Sequence, residues 1–274
     1  MLAPTDRSLA SWYAYAQSQL TEEDARILSA SAFDVEFSEL VANNDVGRIS
    51  DASIKRLKCF VKRRVRGEPV AYILGSRGFW RHDFTVTPAT LIPRPETETL
   101  VETVLPFLGE DSRVLDLGTG SGAIGLSVAE ERGADVVLAD ASAEALAIAR
   151  LNAERLGLNA KFVKSDWYQN IEGRFNYIVS NPPYVASNDE HLQQGDLVFE
   201  PNLALDGGPD GLAALREVIR HAPSHLASCG RLAVEHGYDQ GSAVRCLFEQ
   251  AGFQCVQTTR DLGNLERVTH GVTQ

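Results

Sequence analysis

The segment Asn181-Pro182-Pro183-Tyr184 has residue types that could hold a planar amide or amino group for reaction. The nitrogen of such a group is a poor nucleophile, because its lone pair is delocalised into the π system. The Asn181 side-chain oxygen and the Pro182 carbonyl oxygen could accept hydrogen bonds from its N–H groups and direct the remaining electron density toward an electrophilic methyl group. Two prolines stiffen this backbone, and Tyr184 could stack on the planar group. We therefore predict Asn181 and Pro182 as catalytic residues, with Pro183 and Tyr184 as further substrate contacts.

A glycine-rich turn follows the apolar run at residues 114–117 and consists of Gly118, Thr119, Gly120, Ser121 and Gly122. Glycine permits a sharp turn and lets a ligand approach the backbone closely. Residues 120–125 also match the dinucleotide fingerprint G-x-G-x-x-G, and Asp140 follows at a distance that suits hydrogen bonds to ribose hydroxyls. The turn alone therefore leaves a NAD enzyme open.

Acidic residues around the turn favour an adenosyl amino acid over a dinucleotide. Asp116 precedes the glycines, where a carboxylate could face an ammonium group but would repel a pyrophosphate. Asp166 could accept from an adenine amino group, and Trp167 could cover the ring or equally be a core residue. The pattern D-x-G-x-G-x-G resembles motif I of the class I methyltransferases, which use S-adenosylmethionine and in which the following acidic residue, Asp140 here, holds the ribose.

Short β-rich runs alternate with helical stretches from residue 96 onward, which is typical of a parallel sheet with helices on both faces. The runs lie at residues 114–117, 136–139, 161–163, 177–180 and 232–235. Ligands of such sheets bind at the carboxyl ends of the strands, so the glycine turn and residues 181–184 are expected to share one cleft. The last two strands are expected to pair around Val256 and Val268.

The N-terminal part has a different pattern. Its first 66 residues predict short amphipathic helices, with Thr21 as an N-cap and a strongly basic helix at residues 51–66 that we interpret as a solvated face rather than a docking surface. Glycines and prolines around extended runs then indicate a β-hairpin. We expect a helical bundle at residues 1–74, a hairpin linker at 75–94 and a catalytic domain at 95–274.

Charge and composition limit the function classes. Residues 1–94 carry 13 Lys and Arg against 11 Asp and Glu, whereas residues 95–274 carry 13 against 26. The net charge of −11 argues against stable nucleic-acid binding. Because the start of the chain lacks the pattern of a signal peptide and no apolar stretch is long enough to span a membrane, we expect a cytoplasmic protein. The four scattered cysteines predict buried thiols rather than disulfides or a zinc site.

Several segments together resemble the bacterial release factor glutamine methyltransferases, the PrmC or HemK family. These segments are residues 67–72, 91–98, 115–122, 181–184, 199–201, 206–212, 235–237 and 261–267. The resemblance implies a Rossmann-like class I methyltransferase sheet with a small N-terminal bundle, and methylation of the side-chain N5 of the glutamine in the Gly-Gly-Gln tripeptide of class I peptide chain release factors. It further implies that residues 118–122, Asp140, Trp167 and Asn181 contact S-adenosylmethionine, that residues 181–184 receive the glutamine, and that the protein is a monomer.

Rival interpretations remain at the level of sequence. The same Asn-Pro-Pro-Tyr geometry suits a flipped adenine or cytosine, and a non-catalytic cofactor-binding module would keep the same turn. His221 and His225 are spaced to share a metal on a helix, but no third ligand is evident, so we expect no metal. Glu96 and Glu98 either shape the cofactor's methionine end or, as we prefer, cap the first helix of the catalytic domain.

Overall fold

The computed structural model describes residues 3–41 and 49–274, and the chain divides after Gly75 into two compact units. The other residues, 1–2 and 42–48, lie outside the described part. Helices described in the first unit are α1 (Leu9–Gln17), α2 (Glu22–Phe33), α3 (Phe37–Val41), α4 (Asp51–Val65) and α5 (Val70–Leu74).

Side-chain caps and an apolar core hold the first unit together. The Thr21 hydroxyl accepts from the Asp24 backbone N–H at 3.2 Å, which confirms the predicted N-cap of α2. Trp12, Leu28 and Leu57 from three different helices are almost completely buried in this unit. Burial of that apolar surface, more than helix propensity, stabilises short helices of this kind.

The basic helix α4 uses part of its charge inside its own unit. The Arg63 guanidinium donates to the Glu68 carboxylate at 2.7 Å, and Arg64 donates to Asp24 at 2.8 Å. Lys58 lies over the Trp12 ring, 4.9 Å from its centroid. These contacts reduce the charge that α4 can offer to a partner.

The second unit begins with an antiparallel hairpin of β1 (Ser76–Phe79) and β2 (His82–Thr85). The hairpin thus belongs to the larger unit by its contacts. The predicted domain boundaries after residues 74 and 94 stay a prediction.

Within residues 76–274, all of which are described, seven strands form one mixed sheet in the order β5-β4-β3-β6-β7-β9-β8. The strands are β3 (Arg113–Leu117), β4 (Asp135–Asp140), β5 (Lys161–Lys164), β6 (Phe175–Ser180), β7 (Leu226–Glu235), β8 (Gln254–Arg260) and β9 (Glu266–Val272). Strands β3 to β7 are parallel, and β9 pairs antiparallel with both β7 and β8. The expected pairing around Val256 and Val268 is confirmed as a pairing of β8 with β9.

Helices cover both faces of this sheet. They are α6 (Glu98–Val104), α7 (Ala123–Arg132), α8 (Ala143–Leu156), α9 (Ala213–His225) and α10 (Gly241–Gln250). One core cluster joins α6, α7 and α8 to the sheet, and another joins α9 and α10 to it. The central strands are buried on both sides, which explains their continuous apolar runs. The predicted Rossmann-like fold class is confirmed.

The prediction of buried thiols is wrong, because Cys59, Cys229, Cys246 and Cys255 are all exposed. Cysteine is often buried because it is small and apolar, but each of these lies on an outward position of its helix or strand. No helix in residues 3–41 and 49–274 is long and apolar enough to cross a membrane.

Candidate active site

A cavity of about 520 Å³ lies at the carboxyl ends of β3, β4 and β6, where open α/β sheets bind ligands. Of the predicted site residues, those that line it are Gly118, Thr119, Gly120, Ser121, Asp140, Asp166, Trp167, Asn181 and Pro183. Asp116, Gly122, Pro182 and Tyr184 are not among the lining residues. One cavity therefore brings the glycine turn and the Asn181 segment together.

The glycine-rich turn is shaped by its backbone. Gly118, Gly120 and Gly122 have φ values of 71°, 56° and 84°, in the left-handed region that favours glycine. Gly125 has a packing role, because a Cβ there would lie 2.3 Å from a Leu138 methyl group and 3.0 Å from Asp116 Oδ2. The last glycine of the fingerprint thus lets α7 lie against the sheet.

Asp140 ends β4 with its carboxylate in the cavity wall. Its Oδ2 accepts from the Gly120 N–H and its Oδ1 accepts from the Ser142 N–H, both at 2.9 Å. Burial raises the pKa of this carboxyl group, although backbone hydrogen bonds from Ser142, Gly120 and Ala141 oppose the shift. Each oxygen has a second lone pair, so the oriented carboxylate can also accept from a diol such as ribose.

Asp116 lies under the turn and is completely buried. Its Oδ2 accepts from the Thr119 hydroxyl at 2.7 Å and from the Gly125 N–H at 3.0 Å, whereas its Oδ1 has no hydrogen-bond partner. Burial raises the pKa of Asp116 to about 6. The structure thus gives Asp116 a role in supporting the turn, and its contact with an ammonium group stays a prediction.

Trp167 lines the cavity and also packs on one of the two sheet cores, whereas its contact with an adenine ring stays a prediction. Its backbone has a φ of 48°, and its carbonyl accepts from the Ser165 hydroxyl at 2.7 Å. The ring lies 4.0 Å from the point that a Cβ on Gly118 would occupy. The indole is therefore held beside the glycine turn.

Residues 181–184 follow β6 and are tied to distant parts of the unit. Asn181 Nδ2 donates to the Thr97 hydroxyl at 3.3 Å. The Tyr184 hydroxyl donates to Glu235 Oε1 at 3.0 Å, and the Tyr184 carbonyl accepts from Gln240 at 3.0 Å. The Glu235 carboxyl group is buried at the end of β7, and burial raises its pKa to about 7.

A glycine-rich loop lies directly against this segment. A Cβ on Gly207 would lie 2.8 Å from both the Pro183 carbonyl oxygen and the Tyr184 Cα, and one on Gly211 would lie 2.5 Å from the Tyr184 oxygen. The Gly207 N–H donates to the Val185 carbonyl at 2.8 Å. Only glycine fits such a close approach of two backbones.

Glu200 connects two further segments beside the cavity. Its carboxylate accepts from the Ile92 N–H at 3.0 Å and from the Arg94 guanidinium. The predicted capping role of Glu98 is wrong: its carboxylate accepts from the Trp80 backbone N–H at 2.8 Å, and α6 has no side-chain cap. Glu98 thus fastens the hairpin to α6.

Among the described residues, no group of three or more His, Cys, Asp or Glu side chains could hold a metal ion. The two histidines considered as ligands have other neighbours. The His225 ring stacks on Tyr168 with centroids 4.4 Å apart, and His221 Nε2 lies 3.4 Å from Glu217.

Comparison with known proteins shows the family of the chain. Residues 95–204 match the family model described as methyltransferase small domain, and residues 11–75 match the PrmC N-terminal domain. The release factor glutamine methyltransferase of Xylella fastidiosa strain Temecula1 is 49% identical over 94% of this chain and 95% of its own length. That of Escherichia coli K12 is 45% identical over 82% of each chain.

The chain belongs to the release factor glutamine methyltransferase family. A solved methyltransferase structure from Pyrococcus furiosus, 19% identical, covers 77% of this chain and 96% of its own with a TM-score of 0.55. At that identity the likeness concerns the fold alone.

Sequence reasoning missed some residues that support the site of this release factor glutamine methyltransferase family member. Thr97, Glu235 and Gly207 lie in segments that carried the family resemblance, but no spacing rule joined them to residues 181–184. Gln240 had no signal of its own. Each contact spans at least 23 positions along the chain, so only the fold brings the partners together.

Proposed function

We propose that this chain transfers a methyl group from S-adenosylmethionine to the side-chain N5 of the glutamine in the Gly-Gly-Gln tripeptide of class I peptide chain release factors. The products would be N5-methylglutamine and S-adenosylhomocysteine. The observation that carries the proposal is the single cavity lined by Asp140 and Trp167 as well as by Asn181 and Pro183. Membership of the family supports the choice of substrate.

The residues around the glycine turn fit an adenosyl amino acid. S-adenosylmethionine supplies an electrophilic methyl group on a sulfonium centre. The Asp140 carboxylate is already oriented by two backbone N–H groups and can accept from both ribose hydroxyls. Trp167 offers an aromatic face and Asp166 an acceptor at the same wall.

At the other end, the residues act by holding the reacting amide. Because Asn181 Nδ2 donates to Thr97, its Oδ1 is left to accept from the substrate N–H. With the Pro182 carbonyl as second acceptor, these oxygens also stabilise positive charge as it develops on the nitrogen. Tyr184 lies outside the cavity lining, and its hydroxyl, held by Glu235, fixes the end of the segment that presents these oxygens; its stacking on the substrate stays a prediction. Catalysis then depends on positioning rather than on a strong base.

We extend the proposal to the protein as a whole. It acts as a cytoplasmic monomer without a metal and without stable nucleic-acid binding, in keeping with its net charge of −11. Residues 1–74, most of which match the PrmC N-terminal domain, contribute to binding the release factor in this proposal.

The test is transfer of labelled methyl from S-adenosylmethionine to purified release factor. A release factor with its Gly-Gly-Gln glutamine changed to alanine and a nucleic-acid substrate are run alongside. We expect label on the wild-type release factor alone. Label on nucleic acid would favour a base-amino methyltransferase, and no label with retained cofactor binding would favour a binding module.

A further inference from the structure

A chain of polar groups leads from Asn181 into the unit through Thr97, which also lines the cavity. The Asn181 amide nitrogen donates to the Thr97 hydroxyl, and the Thr97 side chain lies close enough to the Glu235 carboxyl group to lower its pKa. The Tyr184 hydroxyl donates to the same carboxyl group. Thr97 and Glu235 are only 4% and 1% exposed, so water cannot easily substitute for these partners.

The direction of the hydrogen bonds in this chain matters because an asparagine amide has an acceptor end and a donor end of nearly equal shape. A threonine hydroxyl can donate its one proton or accept a hydrogen bond through its oxygen, so it can bond to either end of the amide. If its proton points toward Asn181, the hydroxyl binds the amide oxygen. If its proton points away, the hydroxyl accepts from the amide nitrogen and the amide oxygen is free for the substrate.

Glu235 provides a reason for the proton to point away. Its Oε1 is satisfied by Tyr184, whereas its Oε2 is buried and has no hydrogen-bond partner. Above its pKa of about 7 this carboxyl group is ionised and only accepts hydrogen bonds, so a nearby hydroxyl is then stabilised when it donates to it. Burial and Glu96 raise the pKa of Glu235, and Thr97, Tyr184 and Arg267 lower it.

We propose that Thr97 is a positioning residue for methyl transfer, whose hydroxyl, directed toward Glu235, holds the Asn181 amide with its nitrogen inward and its oxygen toward the reacting nitrogen. The inference rests on the proposed function, since it concerns how the same site holds its amide substrate. Thr97 itself touches neither reacting atom. It acts through Asn181, and Glu235 acts through Thr97.

The experiment compares Thr97→Val, which keeps the shape but loses the hydroxyl, with Thr97→Ser, which keeps the hydroxyl. Thr103→Val is the matched control, because Thr103 lies on α6, which begins directly after Thr97, and its hydroxyl donates to the Thr99 carbonyl at 2.7 Å. We expect Thr97→Val to lower kcat about tenfold. The affinity for S-adenosylmethionine should stay unchanged, Thr97→Ser should restore most of kcat, and the control should match the wild type.

The inference is overturned if Thr97→Val turns over as fast as the wild type, or if Thr97→Ser is as slow as Thr97→Val, since the latter would indicate a packing role. Glu235→Gln supplies an independent check on the direction of the chain. Glu235→Gln should also lower kcat. If the two residues act through each other, adding Glu235→Gln to Thr97→Val should lower kcat much less than Glu235→Gln lowers it in the wild type. Full additivity would mean that the two residues act separately.

A substrate-free measurement separates this inference from the proposed function. In the ¹⁵N-asparagine-labelled protein, the side-chain NH₂ signals of Asn181, assigned by their loss in Asn181→Ala, should show slow exchange with solvent in the wild type and Thr97→Ser. Fast exchange is expected in Thr97→Val. If the wild type fails to methylate release factor while this pattern holds, the proposed function fails alone. If exchange is the same in all three proteins, the inference fails.

Discussion

The two ends of the cavity are built in different ways. The glycine turn and Asp140 form one end from neighbouring strands, and their contacts are mostly backbone N–H groups that point at a carboxylate. The end at residues 181–184 is held by side chains and glycines from the turn before α6, the 206–212 loop and β7. The cofactor end is thus local and backbone-built, whereas the amide end depends on the whole unit. We expect substitutions at the cofactor end to change the affinity for S-adenosylmethionine, and substitutions at the amide end to change kcat.

Asn181→Ala should separate the two ends most clearly. It removes an acceptor for the reacting nitrogen, and we expect kcat to fall by about 10²- to 10³-fold, with a much smaller change in affinity for S-adenosylmethionine. Methyl-transfer rates and equilibrium binding of the cofactor measure the two effects. Asn176→Ala is the control, because Asn176 lies near the start of β6, the strand that Asn181 follows, and accepts from the Arg113 N–H away from the cavity. A wild-type rate for Asn181→Ala would refute the proposed mechanism.

Gly207→Ala tests whether the amide end depends on distant backbone. Its Cβ would meet the Pro183 oxygen and the Tyr184 Cα at 2.8 Å, so residues 181–184 must shift. We expect a fall in kcat of about 10²-fold with the cofactor affinity retained. Gly109→Ala is the control, since nothing lies within 4 Å of its added Cβ. Equal rates for the two variants would show that this loop does not set the position of the segment.

Asp140→Ala should have the opposite pattern. Loss of the buried acceptor for ribose should weaken binding of S-adenosylmethionine by about 2 kcal/mol, measured calorimetrically. The rate at saturating cofactor should change little. Asp135→Ala, at the exposed start of the same strand, should bind normally. Unchanged affinity in Asp140→Ala would remove this residue from the cofactor site.

The buried Asp116 carboxyl group, which supports the cofactor end, should make the stability of the protein depend on pH. Burial raises its pKa from 3.8 to about 6, so the group stabilises the fold fully below pH 3.8 and loses that contribution as the pH rises through about 6. Between these limits the wild type should lose about 3 kcal/mol of unfolding free energy relative to Asp116→Asn, since one unit of pKa shift corresponds to about 1.4 kcal/mol. Urea unfolding at several pH values measures this, and parallel curves would contradict it.

The cofactor end was also easier to predict from the sequence than the amide end. The strands β3, β4 and β6 read as apolar runs because they are buried on both faces, and the glycines and Asp140 follow such runs directly. The support of residues 181–184 by Thr97 and Glu235 spans 84 and 51 positions, and no local pattern encodes it. The exposed cysteines show the same limit, since the tendency of a residue type does not say which face of a strand or helix it occupies.

The central claim is that residues 181–184 present one amide to the methyl donor, and tandem mass spectrometry of the release factor after reaction tests it most directly. With the wild-type enzyme, we predict a single added methyl group on the glutamine of the Gly-Gly-Gln tripeptide, and none with Asn181→Ala under the same cofactor saturation. A methyl group on another residue, or an unchanged yield with Asn181→Ala, would contradict the account.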